Sequence, residues 1–184
     1  LFFPNSSSEE RLVVSQIMGL VIASAICETE ESLLRVRRLA WENVVAQHPV
    51  SPEFTELGEL FYEEEQKHSR AFTRYLEMFA QKCGVELKEL RLILPIVENT
   101  LTEKLLTSNL KKGGYSFWWI VASVEQEFLL LHRMISPFKT QLDPLYAQLH
   151  QKHFEEEARH ASFPYLVLQL LIERQKQSPQ GLRH

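Results

Sequence analysis

The chain has 184 residues, enough for one domain that buries a sizeable core without disulfide bonds. Its 20 Lys and Arg against 24 Asp and Glu give a net charge of -4, so we expect no broad binding surface for nucleic acid or for an anionic membrane. Uncharged runs fall short of the roughly 20 residues of a spanning helix, and the two cysteines form no Cys-x-x-Cys pair of the zinc-ribbon or thioredoxin kind. We therefore expect a soluble, cytoplasmic protein with a small-molecule or protein partner.

Apolar residues recur with helical spacing throughout, and this pattern predicts an all-α chain. Ser51-Pro52 and Asp143-Pro144 each place a capping residue before a proline, which is typical of a helix start. Pro164 falls inside the last predicted helix and predicts a kink there. The predicted elements are long helices over about 8–48, 52–83, 116–136 and 144–174, with a crossover over about 86–112.

The middle crossover is less regular than the long helices, since Pro95 breaks one short helix and Thr100 or Thr102 can cap another. We expect its additional short helices to pack across the bundle. Four long helices with one longer connection predict a ferritin-like four-helix bundle, formed by a single domain over residues 1–184.

The second predicted helix places Glu65 and His68 three residues apart, so both side chains project from one face. That face also holds Leu57, Phe61 and Phe72. A charge in such an apolar stripe costs several kcal/mol unless a metal or counter-charge compensates it. Glu63, Glu64 and Lys67 fall to the sides and are expected in solvent.

The fourth predicted helix repeats the pair as Glu157 and His160, and His153 precedes them by one turn. These three side chains span only about 60° of the helix circumference at 100° per residue. Glu155 and Arg159 point away from this stripe, and His132 and His150 lie outside it or at its margin, so we leave them out of the predicted ligand set.

The other two long helices each offer glutamates for the same site. In the first helix Glu30 shares its face with Ile26 and Leu33, which makes it the inward glutamate. In the third helix Glu127 shares its side with Val124 and other apolar residues, and we prefer it to Glu125, which stays open as the alternative. Two Glu-x-x-His pairs and one glutamate from each remaining helix form the ligand set of ferritin-like di-iron and di-manganese proteins.

The order of these residues resembles the p-aminobenzoate N-oxygenase (arylamine N-oxygenase) family of di-iron oxygenases. The similarity extends from about Val13 to Leu171, and its distinguishing feature is the additional histidine at His153. The resemblance implies two iron ions as cofactor, with manganese or a mixed iron–manganese pair as alternatives. The implied ligands are Glu30, Glu65, His68, Glu127, His153, Glu157 and His160.

The implied activity is that of an oxidoreductase: an oxygenase that uses dioxygen and an external electron donor to oxidise a small organic substrate, an amine being one choice. We expect no nucleic-acid partner and no membrane association, and a homodimer is one assembly to consider. An alternative is a ferritin-like or rubrerythrin-like metalloprotein that handles iron or scavenges peroxide without an organic substrate. A metal-free interaction bundle is a third class.

Overall fold

The computed structural model describes residues 6–94, 107–108, 110 and 114–177, and within these ranges it is helical with no strand. A π-helical turn, Arg38–Glu42, joins the first two helices, and a 3-10 helix, Ser136–Gln141, follows the fifth. The prediction of an all-α chain is confirmed for this part of the molecule. The helices are α1 (Ser8–Arg37), α2 (Asn43–Gln47), α3 (Pro52–Lys82), α4 (Leu87–Ile93), α5 (Tyr115–Ile135), α6 (Pro144–His160) and α7 (Phe163–Gln177).

The long helices begin where their capping residues predict. The Ser7 hydroxyl accepts a hydrogen bond from the backbone N–H of Glu10, and the Glu10 carboxylate accepts one from the backbone N–H of Ser7, so the two residues form a capping box. Ser51 caps α3 ahead of Pro52. The side chain of Asp143 caps α6 by accepting from a backbone N–H at 3.0 Å. These starts were predictable because the capping chemistry is local to the sequence.

The last predicted helix is broken rather than kinked. Helix α6 ends at His160, two turn residues follow, and α7 begins at Phe163 with Pro164 in its first turn. Pro164 has no N–H to donate, and its ring would clash with the carbonyl of the residue four positions earlier, which is His160. The proline therefore separates two helices and leaves His160 as the last residue of α6.

The crossover begins as predicted with a short helix, α4, after Gly84 has ended α3 in a left-handed conformation at φ 72°. Pro95 and the two threonines expected to cap a further short helix lie outside the described residues.

Two buried apolar clusters lie on either side of a polar layer in the bundle, where α1 packs on α3 and α5 packs on α6 and α7. The aromatic cluster contains Trp41, Phe61, Phe117, Trp118 and Phe163 among its members. The aliphatic cluster contains Leu20, Ile26, Phe72, Leu76 and Tyr146 among its members. Polar side chains from α1, α3, α5 and α6 are buried between these clusters.

Helix α1 contains the longest uncharged run of the described residues. The run from Leu12 to Cys27 has no charged residue, and the helical segment Ser8–Gln47 is long and apolar enough to cross a membrane by length and composition. The expectation of no membrane association stays a prediction. The core helix of a soluble protein and a signal sequence meet the same criterion, so the finding assigns no location.

Candidate metal centre

The polar layer contains a compact cluster of glutamates and histidines from four helices. Helix α1 supplies one glutamate, α3 a Glu-x-x-His pair, α5 one glutamate, and α6 a second Glu-x-x-His pair with a histidine one turn earlier. Every member has at most 5% of its surface exposed. The members are Glu30, Glu65, His68, Glu125, His153, Glu157 and His160.

Helix α5 contributes Glu125 to this cluster, so the preference for Glu127 was wrong. Glu127 is exposed, whereas Glu125 is 2% exposed and follows the buried Val121 and Ala122 by four and three residues. The sequence misled because several apolar residues that share the side of Glu127 face outward in the structure. These exposed residues are Ile120 at 43%, Leu130 at 55% and Met134 at 63%.

One half of the cluster brings together Glu30, His68, His153 and Glu157, whose candidate ligand atoms all lie within 4.8 Å of one another. His153 is central to this half. Its Nε2 lies 2.9 Å from Oε1 of Glu30 and 3.0 Å from Oε1 of Glu157. Since these atoms converge from α1 and α6, the additional histidine belongs to the cluster rather than to its surroundings.

The other half brings together Glu65, His68, Glu157 and His160, again within 4.8 Å. Nδ1 of His160 lies 2.8 Å from Oε1 of Glu65 and 3.9 Å from Oε2 of Glu125. Glu157 and His68 belong to both halves. The two groups therefore overlap at these two residues, and the layer as a whole could hold a metal ion.

The buried carboxyls place a large potential negative charge in this layer. Burial raises the pKa of Glu30 well above its usual value, and the carboxylates of Glu65 and Glu157 raise it further. Burial also raises the pKa of Glu125, and the neighbouring Glu157 raises it further. Burial opposes the charge on Glu157 as well, but the neighbouring Glu125 and the nearby histidines lower its pKa. Metal-free, the cluster therefore retains protons that a cation would displace.

Many of these buried atoms have no hydrogen-bond partner, which is costly for polar groups in a protein interior. Full ionisation of the four glutamates, Glu30, Glu65, Glu125 and Glu157, would bury a charge of -4, which a bound metal would offset. Carboxylate oxygens and imidazole nitrogens suit iron, manganese or zinc. The donor set therefore fits a metal site. The unpartnered atoms are Glu30 Oε2, Glu65 Oε1, His68 Nδ1, Glu125 Oε2, both Glu157 oxygens and His160 Nδ1.

Two further glutamates bind the outer nitrogens of the histidines. Nε2 of His160 donates to Oε2 of Glu64 at 2.9 Å, and Nε2 of His68 donates to Oε2 of Glu156 at 2.7 Å. Each ring therefore presents its Nδ1 to the cluster. Arg159 pairs with Glu64, and Lys67 pairs with Glu156. The expectation that Glu64 is solvated was wrong, since it is 9% exposed.

A repeated sequence pattern could have revealed these outer glutamates. Residues 64–68 are Glu-Glu-Gln-Lys-His and residues 156–160 are Glu-Glu-Ala-Arg-His. Both follow the order Glu-Glu-x-cation-His, in which the second glutamate and the histidine face the cluster. The first glutamate and the cation of each helix bind partners on the other helix. The arrangement between α3 and α6 is thus reciprocal.

The neighbouring aromatic rings close the cluster from both sides. Phe61, from the aromatic cluster, lies 4.8 Å from the ring of His160, and Phe72, from the aliphatic cluster, lies 5.1 Å from the ring of His153. Trp118 is fully buried, whereas Trp119 is 54% exposed and does not face the interior. A low-dielectric shell of this kind strengthens interactions between the carboxylates and a bound cation.

No protein-family model matches the chain, and comparisons with curated proteins and with solved structures return no match. The buried glutamates and histidines, which could bind a metal ion, are therefore the finding that bears on function.

Proposed function

We propose that this protein is a ferritin-like di-iron oxygenase, similar to the p-aminobenzoate N-oxygenase family, that oxidises a small organic substrate with dioxygen. An amine, oxidised at nitrogen, is the substrate class that the resemblance suggests. The observation that supports an oxygenase most directly is the position of His153, whose Nε2 lies 2.9 Å from Glu30 and 3.0 Å from Glu157. A seventh donor at this place is what distinguishes that family from other ferritin-like proteins.

In this proposal the seven buried glutamates and histidines would hold two irons, with manganese or a mixed pair as alternatives. The bound metals supply redox chemistry toward dioxygen, with electrons from an external donor. Glu157 would be shared by the two metals, because it lies in both groups of donors. Glu64 and Glu156 hold the imidazoles of His160 and His68 in the tautomer that frees Nδ1. The aromatic rings on either side exclude water.

The proposal is tested by metal analysis and by oxygen reactivity. The protein should retain about two irons per chain after anaerobic loading, and the reduced protein should react rapidly with oxygen and convert an arylamine. The variant His153→Ala should lose this reactivity, whereas His132→Ala should retain it because His132 stacks on Phe154 outside the cluster. Unchanged metal content and turnover in His153→Ala would contradict the oxygenase assignment.

Iron handling or peroxide scavenging is the second candidate. It is favoured by one observation: Glu65, His68, Glu157 and His160 form a complete group without His153. Assembly into a large cage, or rapid peroxide turnover without an organic substrate, would support it. Freshly purified protein with a small fraction of one metal equivalent, and with stability unaffected by chelators, would instead support a metal-free bundle and refute both metal proposals.

A further inference from the structure

The three tryptophans of the chain differ in what their indole N–H groups contact. Trp41 and Trp118 are 1% and 0% exposed, and their ring centroids lie 5.4 Å and 5.6 Å from that of Phe163. Nε1 of Trp41 donates to Oε1 of Glu59 at 2.9 Å, whereas Nε1 of Trp118 has no hydrogen-bond partner among the described residues. Trp119 is exposed. Two buried tryptophans of one aromatic cluster therefore differ by a single carboxylate.

Trp41 is held in place from two sides. It lies in the π-helical turn Arg38–Glu42, and π-helical turns occur frequently at functional sites. Its ring packs against Gly58 on α3, where an added Cβ would lie 2.0 Å from the indole. The side chain of Glu59, which also pairs with Arg37, is 42% exposed. The buried indole is thus connected by one hydrogen bond to a carboxylate that solvent reaches.

A series of ring contacts connects Trp41 to the metal cluster. The ring of Phe163 lies 5.4 Å from that of Trp41 and 4.8 Å from that of Phe61. Phe61 in turn lies 4.8 Å from the ring of His160, whose Nδ1 faces Glu65 in the cluster. Electron tunnelling slows as the gap between redox groups widens. Trp41 is therefore well placed as an intermediate between the cluster and the surface.

The carboxylate decides which buried ring can be oxidised. Loss of one electron leaves a positive charge on an indole, and a charge in a protein interior is costly unless it is neutralised. At Trp41 the N–H proton can move along its hydrogen bond to Glu59, which leaves a neutral indole radical and a carboxylic acid. At Trp118 the charge would stay buried, because no acceptor among the described residues contacts Nε1.

Tyr62 is the other oxidisable ring beside the cluster, and its surroundings oppose oxidation. It is 0% exposed, and its hydroxyl has no hydrogen-bond partner in the described part of the chain. The guanidinium carbon of Arg37 lies 5.3 Å from the centre of its ring. A second positive charge on this ring would be repelled by Arg37, and the hydroxyl proton would have no acceptor.

We propose that Trp41 transfers single electrons between the surface and the metal cluster, with Glu59 as the acceptor of its N–H proton. The indole gives one electron to the oxidised metal centre and its N–H proton to Glu59. An external one-electron donor then reduces the indole radical, and the proton returns from Glu59 to the ring nitrogen. The identity of the oxidant rests on the proposed oxygenase function, whereas the oxidation of Trp41 in preference to Trp118 does not.

Flash photolysis of the full chain without added metal tests this preference. Photo-oxidised ruthenium tris(bipyridine) is the one-electron oxidant, in a Trp119→Phe background that removes the exposed tryptophan. We expect the absorption of a neutral indole radical, its loss in Trp41→Phe and its retention in Trp118→Phe. Glu59→Gln should shift the absorption to that of the protonated radical, because an amide does not take up the proton. Glu56→Gln, at an exposed glutamate of α3, is the matched control and should change nothing.

A second experiment uses the iron-loaded protein. The same variants are loaded anaerobically with Fe²⁺ and mixed with oxygen without an electron donor, so that the radical is not reduced again. Electron paramagnetic resonance of frozen samples should show a radical whose signal narrows when the protein contains ring-deuterated tryptophan. This signal should be lost in Trp41→Phe and retained in Trp118→Phe. Thermal unfolding checks that each variant is folded, and Glu59→Gln, which leaves the aromatic cluster intact, carries the test if Trp41→Phe does not fold.

The two experiments separate this inference from the proposed function. An equal photochemical yield of the indole radical with and without Trp41 would overturn the inference, as would a neutral radical that forms unchanged in Glu59→Gln. Iron that reacts with oxygen and leaves Trp41 unoxidised would also overturn it. Protein that forms the Trp41 radical photochemically but binds no iron rejects the proposed function alone.

Discussion

Replacement of the outer glutamates tests whether the histidines are held for metal binding. Glu64→Gln keeps the shape of the side chain but removes the charge that accepts from Nε2 of His160 at 2.9 Å. Hydrogen bonds to a charged group contribute about 1.5–3 kcal/mol, and loss of such a carboxylate typically lowers metal affinity about 10- to 100-fold. We expect Glu64→Gln to lower metal affinity by about 100-fold, the upper end of that range, because the side chain of Glu64 is only 11% exposed.

Glu156→Gln should have a smaller effect, about tenfold, because the side chain of Glu156 is 21% exposed and its interaction with His68 is more screened by solvent. Glu155→Gln is the matched control on the same helix, since Glu155 binds Lys152 at the surface and has no contact with the cluster. Anaerobic competition with a chelator of known affinity gives the dissociation constants for Fe²⁺ or Mn²⁺. If the metal dissociation constant of Glu64→Gln is within about twofold of that of Glu155→Gln, the outer glutamates do not position the histidines for a metal.

Three further outcomes are expected. Glu125→Gln should lower the bound metal below two equivalents per chain while Glu127→Gln leaves it unchanged, as elemental analysis can establish, because only Glu125 is buried. Gly58→Ala should destabilise the fold by about 2–3 kcal/mol in denaturant unfolding, because the added Cβ would lie 2.0 Å from the Trp41 ring. The free energy of unfolding of the metal-free protein should fall by about 2–3 kcal/mol between pH 7 and 9. Burial lowers the pKa of His160, but its glutamate partners outweigh burial and raise the pKa from 6.5 to about 10. The protonated histidine therefore stabilises the fold fully below pH 6.5, and this stabilisation is lost as the pH rises toward 10. Constant stability across that range would contradict the pKa assignment.

The parts of the site that the sequence predicts well are those with an unambiguous helical face. Glu65 and His68 lie among buried apolar residues at helical spacing, and the same logic applied to Glu30 and to the α6 residues places all of them in the cluster. Helix starts were equally predictable, because the side chains of Ser51 and Asp143 each accept a hydrogen bond from a backbone N–H only three residues further along the chain. Local chemistry determines these features, so no tertiary information is needed.

The parts that the sequence predicts poorly depend on what packs against each helix. Helix α5 is apolar on most sides, and the burial of Glu125 instead of Glu127 follows from contact with α6 and α7, which no periodicity encodes. Glu64 looked like a solvated residue because its partner, His160, is 96 residues away in sequence. Pro164 predicted that the last helix is not straight, but the sequence did not distinguish a kink from the break between α6 and α7, since a proline can cause either.

The reciprocal glutamate–histidine bonds between α3 and α6 have a consequence for the order in which the centre forms. Because each helix orients the imidazole of the other, the donors are in place once the two helices pack, before any metal enters. Small zinc domains, by contrast, fold only as their ligands close around the ion. In the proposed metalloprotein the polypeptide can therefore complete its folding first and take up its metal as a separate event, so newly made chains can wait in a folded state for the metal.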